Sequence, residues 1–427
     1  MTLSVNEAPP QGALHRLLGH PSDLAGHMAA HGPLTVALGR EAEWQDALAT
    51  SLEQSGLAGR GGGGFPASIK LAVARAAGHG GTLLVNGMES EPASDKDKLL
   101  LTRAPHLVLD GAQYLAALCR ATRIVVCIPA GRDGIAAVVS QAIAERSAAS
   151  HARVSEVIVR PPDRFVAGEE SALANFVDNG LALPVFRADK GNALRIQKRP
   201  ALVHNAETLA HIALIARHGP GPFRARGTAE EPGTCLVTIS GRVAQCGVVE
   251  VDRGTPLRDI ASLSRPLEPA QALLVGGYGG AWVGPEHFAT PYASLSLRTI
   301  GASAGVGIIV VLGEEACGVA ESARIVRFLA GQSAGQCGPC VFGLPAIADD
   351  LAQLARGHVD AALMPRLLRR LGEVNGRGAC RHPDGAVGLV RSALSVFAAD
   401  VAAHRQGRPC AHAHKPTVLR FPQPIAI

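Results

Sequence analysis

Aromatic residues are scarce in this chain, at 4% of 427 residues, and charged residues make up only 18%. Few rings and no block of arginine or lysine argue against nucleic-acid binding, which needs stacking platforms and a basic track. The net charge of +5 is a mild surface bias. Long apolar runs are missing as well. Runs such as "VGIIVVL" at 306–312 have strand length, well short of the roughly 18 to 20 residues of a membrane helix. No direct membrane insertion is expected. The N-terminus, "MTLSVNEAPPQGALHRL", lacks the basic start and apolar stretch of a secretory leader. A cytoplasmic protein with reduced cysteines is the expectation.

The chain is 47% hydrophobic, with a core to be built from Ala, Val, Leu and Ile, and it carries 49 glycines and nine cysteines. Its length predicts two to four domains. Ahead of residue 219, short apolar strands (Leu83 to Val85 in "GTLLVNGMESEP", then "RIVVCIPA" and "SEVIVRPPD") alternate with amphipathic helices, the pattern of a parallel sheet with helices packed on it. A Gly/Pro-rich stretch at 219–234 reads as a linker. Strands at "CLVTISG", "VVEVD", "QALLVGG" and "VGIIVVL", with a short helix opening near Thr255, predict a small α+β domain. From about 316 onward four helical patterns predict a bundle.

The strongest loop is "GRGGGGFP", Gly59 to Pro66. Its glycines remove the Cβ atoms that would keep a flat or charged ligand off the backbone. It opens a helix whose free N–H groups favour phosphate, with Lys70 in the early turns. Lys70 comes too late for a Walker A loop, and no strand clearly precedes the loop as a dinucleotide fingerprint requires. The bland reading is a flexible linker. Two further loops follow predicted strands. "VNGMESEP" offers Asn86, Glu89 and Glu91; "FVAGEESAL" offers Gly168, Glu169 and Glu170. Ligands of open α/β sheets collect at such strand ends. Each loop taken singly also reads as a capped helix start.

Cys337 and Cys340 form a C-x-x-C in the Gly/Pro turn "SAGQCGPCVFG", and Cys380 follows in "GRGACRHPDG", another glycine-rich turn before a helix. Ala334 stands where a third cysteine at the same spacing would fall. Zinc and iron–sulfur clusters both use sets like this. Cys119, Cys127, Cys235 and Cys246 lie in apolar or strand-like stretches and read as buried filler. "PCAHAH" at 409–414 could bind a stray metal ion, but it reads first as a mobile tail.

"GRGGGGFPASIK", "VNGMESEPASDKDKLLLTRAPHLVLDGA", "FVAGEESAL", "ALVHNAETLAHI", "ISGRV", "GTPLRDI", "QCGPC" and "GAC" occur in that order over roughly residues 45 to 405. In this the sequence resembles the NADH-binding flavoprotein subunit of respiratory complex I and the diaphorase subunits of related hydrogenases and formate dehydrogenases. The resemblance implies an α/β, Rossmann-like FMN domain, an α+β, ubiquitin-like β-grasp domain and an all-α C-terminal bundle with a [4Fe–4S] cluster. The corresponding boundaries are a lead-in at 1–44, then 45–225, 234–313, 316–406 and a tail at 407–427. It places FMN against Gly59, Arg60, Gly61, Gly62, Lys70, Asn86, Glu89, Gly168, Glu169, Asn205 and Thr208. Phe65, Glu91 and Glu170 fall on the NAD(P)H side, the two glutamates as candidate catalytic groups. Cys337, Cys340 and Cys380 become three of four cluster ligands. Ala334 takes the place of the fourth, with Cys317 and His382 as substitutes.

The sequence departs from the family at Met88, where an acidic residue is usual, at Phe165 for a tyrosine and at His204 for an asparagine. It departs further at Val73 for an aromatic, at Val341 and Phe342 for Arg-Glu, and in "LPVFRADKG". The implied function is an FMN-dependent NAD(P)H dehydrogenase module. It passes electrons through an iron–sulfur centre to a ferredoxin-like, [2Fe–2S] or quinone-linked partner, in a larger redox complex. The alternative is a repurposed FMN-binding relay or scaffold with a degenerate nicotinamide or cluster site.

Overall fold

The computed structural model describes residues 16–35, 41–187 and 191–423. Parts of the lead-in, the middle of "LPVFRADKG" and the last four residues of the tail lie outside the described residues. Contacts divide the chain into two units. The first takes the described residues of Met1–Ser90, Asp95–Leu236 and Val248–Gly254; the second takes Glu91–Ser94, Val237–Gly247 and the described residues of Thr255–Ile427.

The first unit begins with α1 (Leu24–His31), α2 (Glu41–Ser55) and α3 (Ala67–Ala76), then β1 (Thr82–Asn86), α4 (Lys96–Arg103), α5 (Pro105–Leu118), β2 (Arg123–Cys127), α6 (Asp133–Ala148) and β3 (Ser155–Val159). It continues with α7 (Glu170–Asn179), β4 (Leu194–Ile196), β5 (Arg199–Asn205), α8 (Ala206–His218) and α9 (Pro220–Arg224). The sheet order is β3-β2-β1-β5-β4. β1 pairs in parallel with both β2 and β5, β2 with β3 likewise, and β4 closes the edge antiparallel to β5. The inner strands are apolar on both faces because helices cover both, as in parallel sheets generally. α5 starts with Pro105 at its first turn, where a missing N–H costs nothing. A Cβ on Gly111 in this helix would stand 1.9 Å from the Leu209 carbonyl oxygen, so α5 and α8 approach to backbone contact only because that side chain is absent.

The second sheet has the order β7-β6-β10-β8-β9. Its strands are β6 (Thr234–Gly241), β7 (Gly247–Asp252), β8 (Ala270–Val275), β9 (Ala281–Val283) and β10 (Ile308–Gly313), with α10 (Leu257–Ser262) and α11 (Ser294–Thr299) between them. β10 is parallel to β6 and antiparallel to β8. Then come α12 (Gly318–Gly331), α13 (Leu344–Ala355), α14 (Leu363–Val374), α15 (His382–Val396) and α16 (Ala398–Arg405). The protein is thus a mixed α/β fold with two mixed sheets and a helical C-terminal part. No single helix among the described residues is long and apolar enough to cross a membrane.

Four local expectations are corrected. The stretch at 219–234 is no open linker: it contains α9, and the Arg60 guanidinium holds its end by donating to the Thr234 carbonyl at 2.9 Å. Cys246 lies in the turn between β6 and β7, outside a strand. The last helical pattern is two helices, α15 and α16, bent by 85° at Phe397. Phe397 turns its ring into a notch left by Gly318, where a Cβ would come within 2.3 Å of the ring, and it meets the buried Trp282 edge-on at 5.3 Å. The supposed mobile tail is pinned to α12 through Arg324 on the Lys415 carbonyl and Thr417 on Glu321, at 2.8 and 2.6 Å.

Candidate functional site

β1 and β5 end side by side, with Asn86 and Asn205 as register partners. This is where the sheet reverses its strand order, since β2 follows on one side of β1 and β5 lies on the other. Open α/β sheets bind ligands in the crevice at that point. The glycine loop lies on it. A Cβ at Gly61 would stand 3.2 Å from that of Asn205, and the Arg60 N–H donates to Thr208 Oγ1 at 2.9 Å. Gly62 and Gly64 take φ of +105° and +59°, conformations that side-chain-bearing residues rarely adopt. Cβ atoms at Gly63 and Gly64 would meet nothing within 4 Å. The loop therefore presents bare backbone to an open space.

Around it the polar groups are held in place. Asn205 caps α8 through the Glu207 N–H, and its amide donates to Asp97. Lys96, wholly buried, pairs with Asp97 at 2.9 Å and Glu207 at 2.8 Å. Burial alone would lower its pKa, but the carboxylates of Asp97, Glu207 and Glu89 overcome this and raise it. Asn86 donates to the Gly168 carbonyl at 2.8 Å. Lys70 reaches from α3 to the Val203 carbonyl at 2.6 Å and pairs with Glu170.

The two acidic loops are also helix caps. Glu89 accepts from the Asp97 and Lys98 N–H groups at 3.0 and 2.7 Å and sits at φ +35°, a strained position for a side-chain-bearing residue. Glu169 accepts from the Ser171 and Ala172 N–H groups at the start of α7. The Arg60 side chain turns inward to backbone carbonyls, so only its backbone lies along the loop. Met88 is packed in the core. Phe65 is 53% exposed. Glu91 is buried in the second unit, where it accepts from the Tyr278 N–H at 3.0 Å.

Lys96, Asp97, Glu207 and Ser90 were not singled out from the sequence, although "SEPASDKDK" and "NAET" hold them in plain view. Ser90 Oγ and His204 Nε2 are buried without a hydrogen-bond partner among the described residues, and a Cβ at Gly168 would come within 4.0 Å of that Ser90 oxygen. Burial, helped by the charge of Lys70, keeps His204 neutral. An open glycine cradle, a cation and two orphaned polar atoms fit a phosphate-bearing, hydrogen-bonding ligand such as FMN.

In the second unit a π-helical turn, Pro339–Gly343, carries Cys340 into α13. Burial pushes its thiol up to about 12, and the neighbouring Cys337 and Cys380 push the same way. Three thiols gathered in one place suit a cationic iron centre, which would bind them as thiolates. Ala334 offers no ligand atom. His382 already has a ring nitrogen 2.8 Å from the Leu329 carbonyl. Cys317 is found elsewhere, 3.7 Å from His404. Val341 and Phe342 are exposed, at 40% and 76%.

Two family descriptions match the chain: the Nuo51 FMN-binding domain over residues 52–214 and the NADH-ubiquinone oxidoreductase-F iron–sulfur binding region over residues 320–404. An F-type subunit of the NADH-quinone oxidoreductase of Rhizobium meliloti is 28% identical over 379 residues, covering 86% of this chain and 90% of that protein. Its Escherichia coli counterpart is 29% identical, with 82% and 83% covered. Among solved structures, the NAD+-reducing [NiFe]-hydrogenase in its air-oxidised state superposes with a TM-score of 0.78 at 30% identity, covering 88% of this chain and 67% of that one. In the H2-reduced state the TM-score is 0.79, and the chain spans 64% of the hydrogenase chain. The chain belongs to the family of F-type NADH-quinone oxidoreductase subunits, which are flavoproteins with an FMN-binding domain and a [4Fe–4S]-binding region.

Proposed function

We propose that this chain oxidises NADH as the FMN-bearing electron-entry module of a larger redox complex. The observation that carries this reading is the glycine loop lying over the strand-order reversal between β1 and β5, with Lys70, Asn86, Gly168 and Asn205 around it. In this proposal Gly59–Gly62, Lys70, Asn86, Gly168, Asn205 and Thr208 line the FMN site. Backbone N–H groups of the loop and the Lys70 ammonium meet the phosphate, while Ser90 and His204 satisfy their free polar atoms on the ligand. Glu89 and Glu169 hold the helix starts that shape the pocket. Phe65 and Glu170 belong to the nicotinamide side, where Glu170 also sets the position of Lys70; Glu91 acts by bracing its loop. Bound FMN would supply the chemistry that turns a two-electron hydride donor into a one-electron source, and Cys337, Cys340 and Cys380 would hold the [4Fe–4S] centre that suits single-electron transfer. A [2Fe–2S] or ferredoxin-like partner in the cytoplasm is the proposed next carrier. The Rossmann-like and β-grasp descriptions of the two sheets, and the five-part division of the chain, belong to the same reading.

The test is an absorption spectrum of anaerobically purified protein before and after NADH is added. The flavin band should bleach. Gly62→Val forces a β-branched residue into φ +105°. Strain of about 1–3 kcal/mol in the ligand-bearing loop should lower flavin content by about tenfold or more. A flavin that dithionite reduces but NADH leaves coloured would favour the relay reading.

A further inference from the structure

Cys317, at the start of α12, meets His404 and Cys410, from the end of α16 and the turn after it, within the second unit. Their ligand atoms, two Sγ and one imidazole nitrogen, all lie within 4.8 Å of one another. Cys317 is the N-cap of α12, where its sulfur accepts from the Ala320 N–H at 3.4 Å. His404 lies near the end of α16, and the 85° bend at Phe397 sends that helix off on its own course. Cys410 sits in the turn that follows, half-buried, in a segment that the Arg324 and Glu321 contacts fasten to α12.

The imidazole is oriented for metal binding. His404 Nδ1 faces the Leu354 carbonyl at 3.1 Å and donates its proton there. That fixes the tautomer and leaves the Nε2 lone pair toward the sulfurs, the arrangement by which a carbonyl orients a ligating histidine. The distances suit one ion. Tetrahedral Zn–S and Zn–N bonds put a sulfur and a nitrogen about 3.5 Å apart, and two sulfurs about 3.8 Å apart. Cys317 Sγ stands 3.7 Å from His404 Nε2. A cubane spreads its thiolates farther than this, so the set fits a mononuclear centre better than an iron–sulfur one.

We propose that Cys317, His404 and Cys410 bind one zinc-class divalent cation, separate from the iron–sulfur centre, which clamps the C-terminal segment to α12. Binding exchanges two thiol protons for the ion and leaves a neutral Zn(S)2N unit, which a buried site holds without unpaired charge. The Cys410 N–H now points at the same Nε2 at 3.2 Å, and the ion replaces that hydrogen bond. A fourth coordination position remains for water through the half-open Cys410 side. The other buried His/Asp group, His27, Asp110 and His151, is a poor metal site because Arg146 and Arg217 already occupy the carboxylate.

Zinc and iron are measured together on anaerobically purified, reduced full-length protein. Cobalt(II) alone is then titrated into zinc-stripped protein, with the thiolate charge-transfer and tetrahedral ligand-field bands as readout. The wild type should hold about one zinc and show both cobalt bands. Cys410→Ser, a half-exposed position that should fold, should lower cobalt affinity by about tenfold to a hundredfold and keep its iron. Cys337→Ser should lose iron and keep zinc. The proposal is overturned if Cys410→Ser titrates like the wild type, if Cys337→Ser loses both metals while Cys410→Ser loses neither, or if reduced wild type takes up no cobalt because Cys317 and Cys410 pair only with each other.

Discussion

The glycine-loop region and the thiol region of this protein work by opposite means. The first offers backbone: its value lies in side chains that are absent at Gly61 to Gly64, and its surrounding residues chiefly hold helix starts and strand ends still. The second offers side chains: single sulfur atoms that no neighbour replaces. A backbone site should fail when atoms are added, and a thiol site when one atom is removed. The sharpest test is therefore Cys380→Ser, which should remove most of about four irons per chain in anaerobic protein. Ala334→Cys should do the reverse and slow the loss of iron in air. Full iron content in Cys380→Ser would break the comparison, because the centre would then not depend on individual thiols.

A second test concerns a region of the first unit that also depends on side chains. Asp110 on α5 is completely buried and receives His27 at 2.8 Å, Arg146 at 2.8 Å and Arg217. Burial alone would raise its pKa, but the His151 ring 3.4 Å away, the hydrogen bond from His27 and the two arginine charges hold it well below the usual range. Asp110→Ala strips two buried guanidiniums of the carboxylate they share and leaves Arg146 with Glu156 at 3.3 Å. The expected cost is about 3–5 kcal/mol, read as a lower denaturant midpoint with the iron content of folded protein unchanged. A loss below about 1 kcal/mol, the range of an exposed ion pair, would mean that the arginines find other partners.

These cases explain what the sequence made legible. The glycine loop, the strand-end loops and the C-x-x-C are chemistry carried by neighbours in the chain, so their spacing is visible before folding. Alternation of strands and helices marked out the first sheet for the same reason. The Asp110 group gathers residues far apart in the chain, and no local pattern announces it; His404 and Cys410 are near neighbours in sequence, but nothing local says that Cys317, some ninety residues earlier, joins them. The bend at Phe397 was hidden too, because its cause is the missing Cβ of Gly318, some eighty residues earlier. Gly/Pro content at 219–234 suggested a linker, but it could not say that the stretch would form α9 or that Arg60 would fasten its end down.

Glu170→Gln probes the border between the two means, since Glu170 is a side chain acting on a backbone site. It pairs with Lys70, which still has the Val203 carbonyl to hold it. FMN content should change by less than about twofold, while NADH bleaches the flavin about tenfold more slowly, a loss near 1.4 kcal/mol in the barrier. Equal losses of flavin and of rate would place Glu170 in FMN retention alone.

The last test is a pH slope. His31 and His106 lie close to the Asp110 group in the first unit, near His27. Burial lowers His31 to about 3, with His20, His27 and Arg217 adding to the shift. Burial lowers His106 to about 4, and Arg146 acts in the same direction. In the unfolded chain both titrate near 6.5. Below that pH the unfolded state takes up protons that the folded state refuses, so stability from these two rings is complete above about 6.5 and drains as the pH falls. The contribution of His106 is spent near 4 and that of His31 near 3. His20 is shifted the same way. Histidine ring-proton NMR on the folded protein decides the matter: both rings should still show neutral shifts at about pH 5.5, a unit below the free value. Rings that titrate near 6.5 in the folded state would mean that water reaches this cluster, and the pH slope would then have to come from the carboxylates alone.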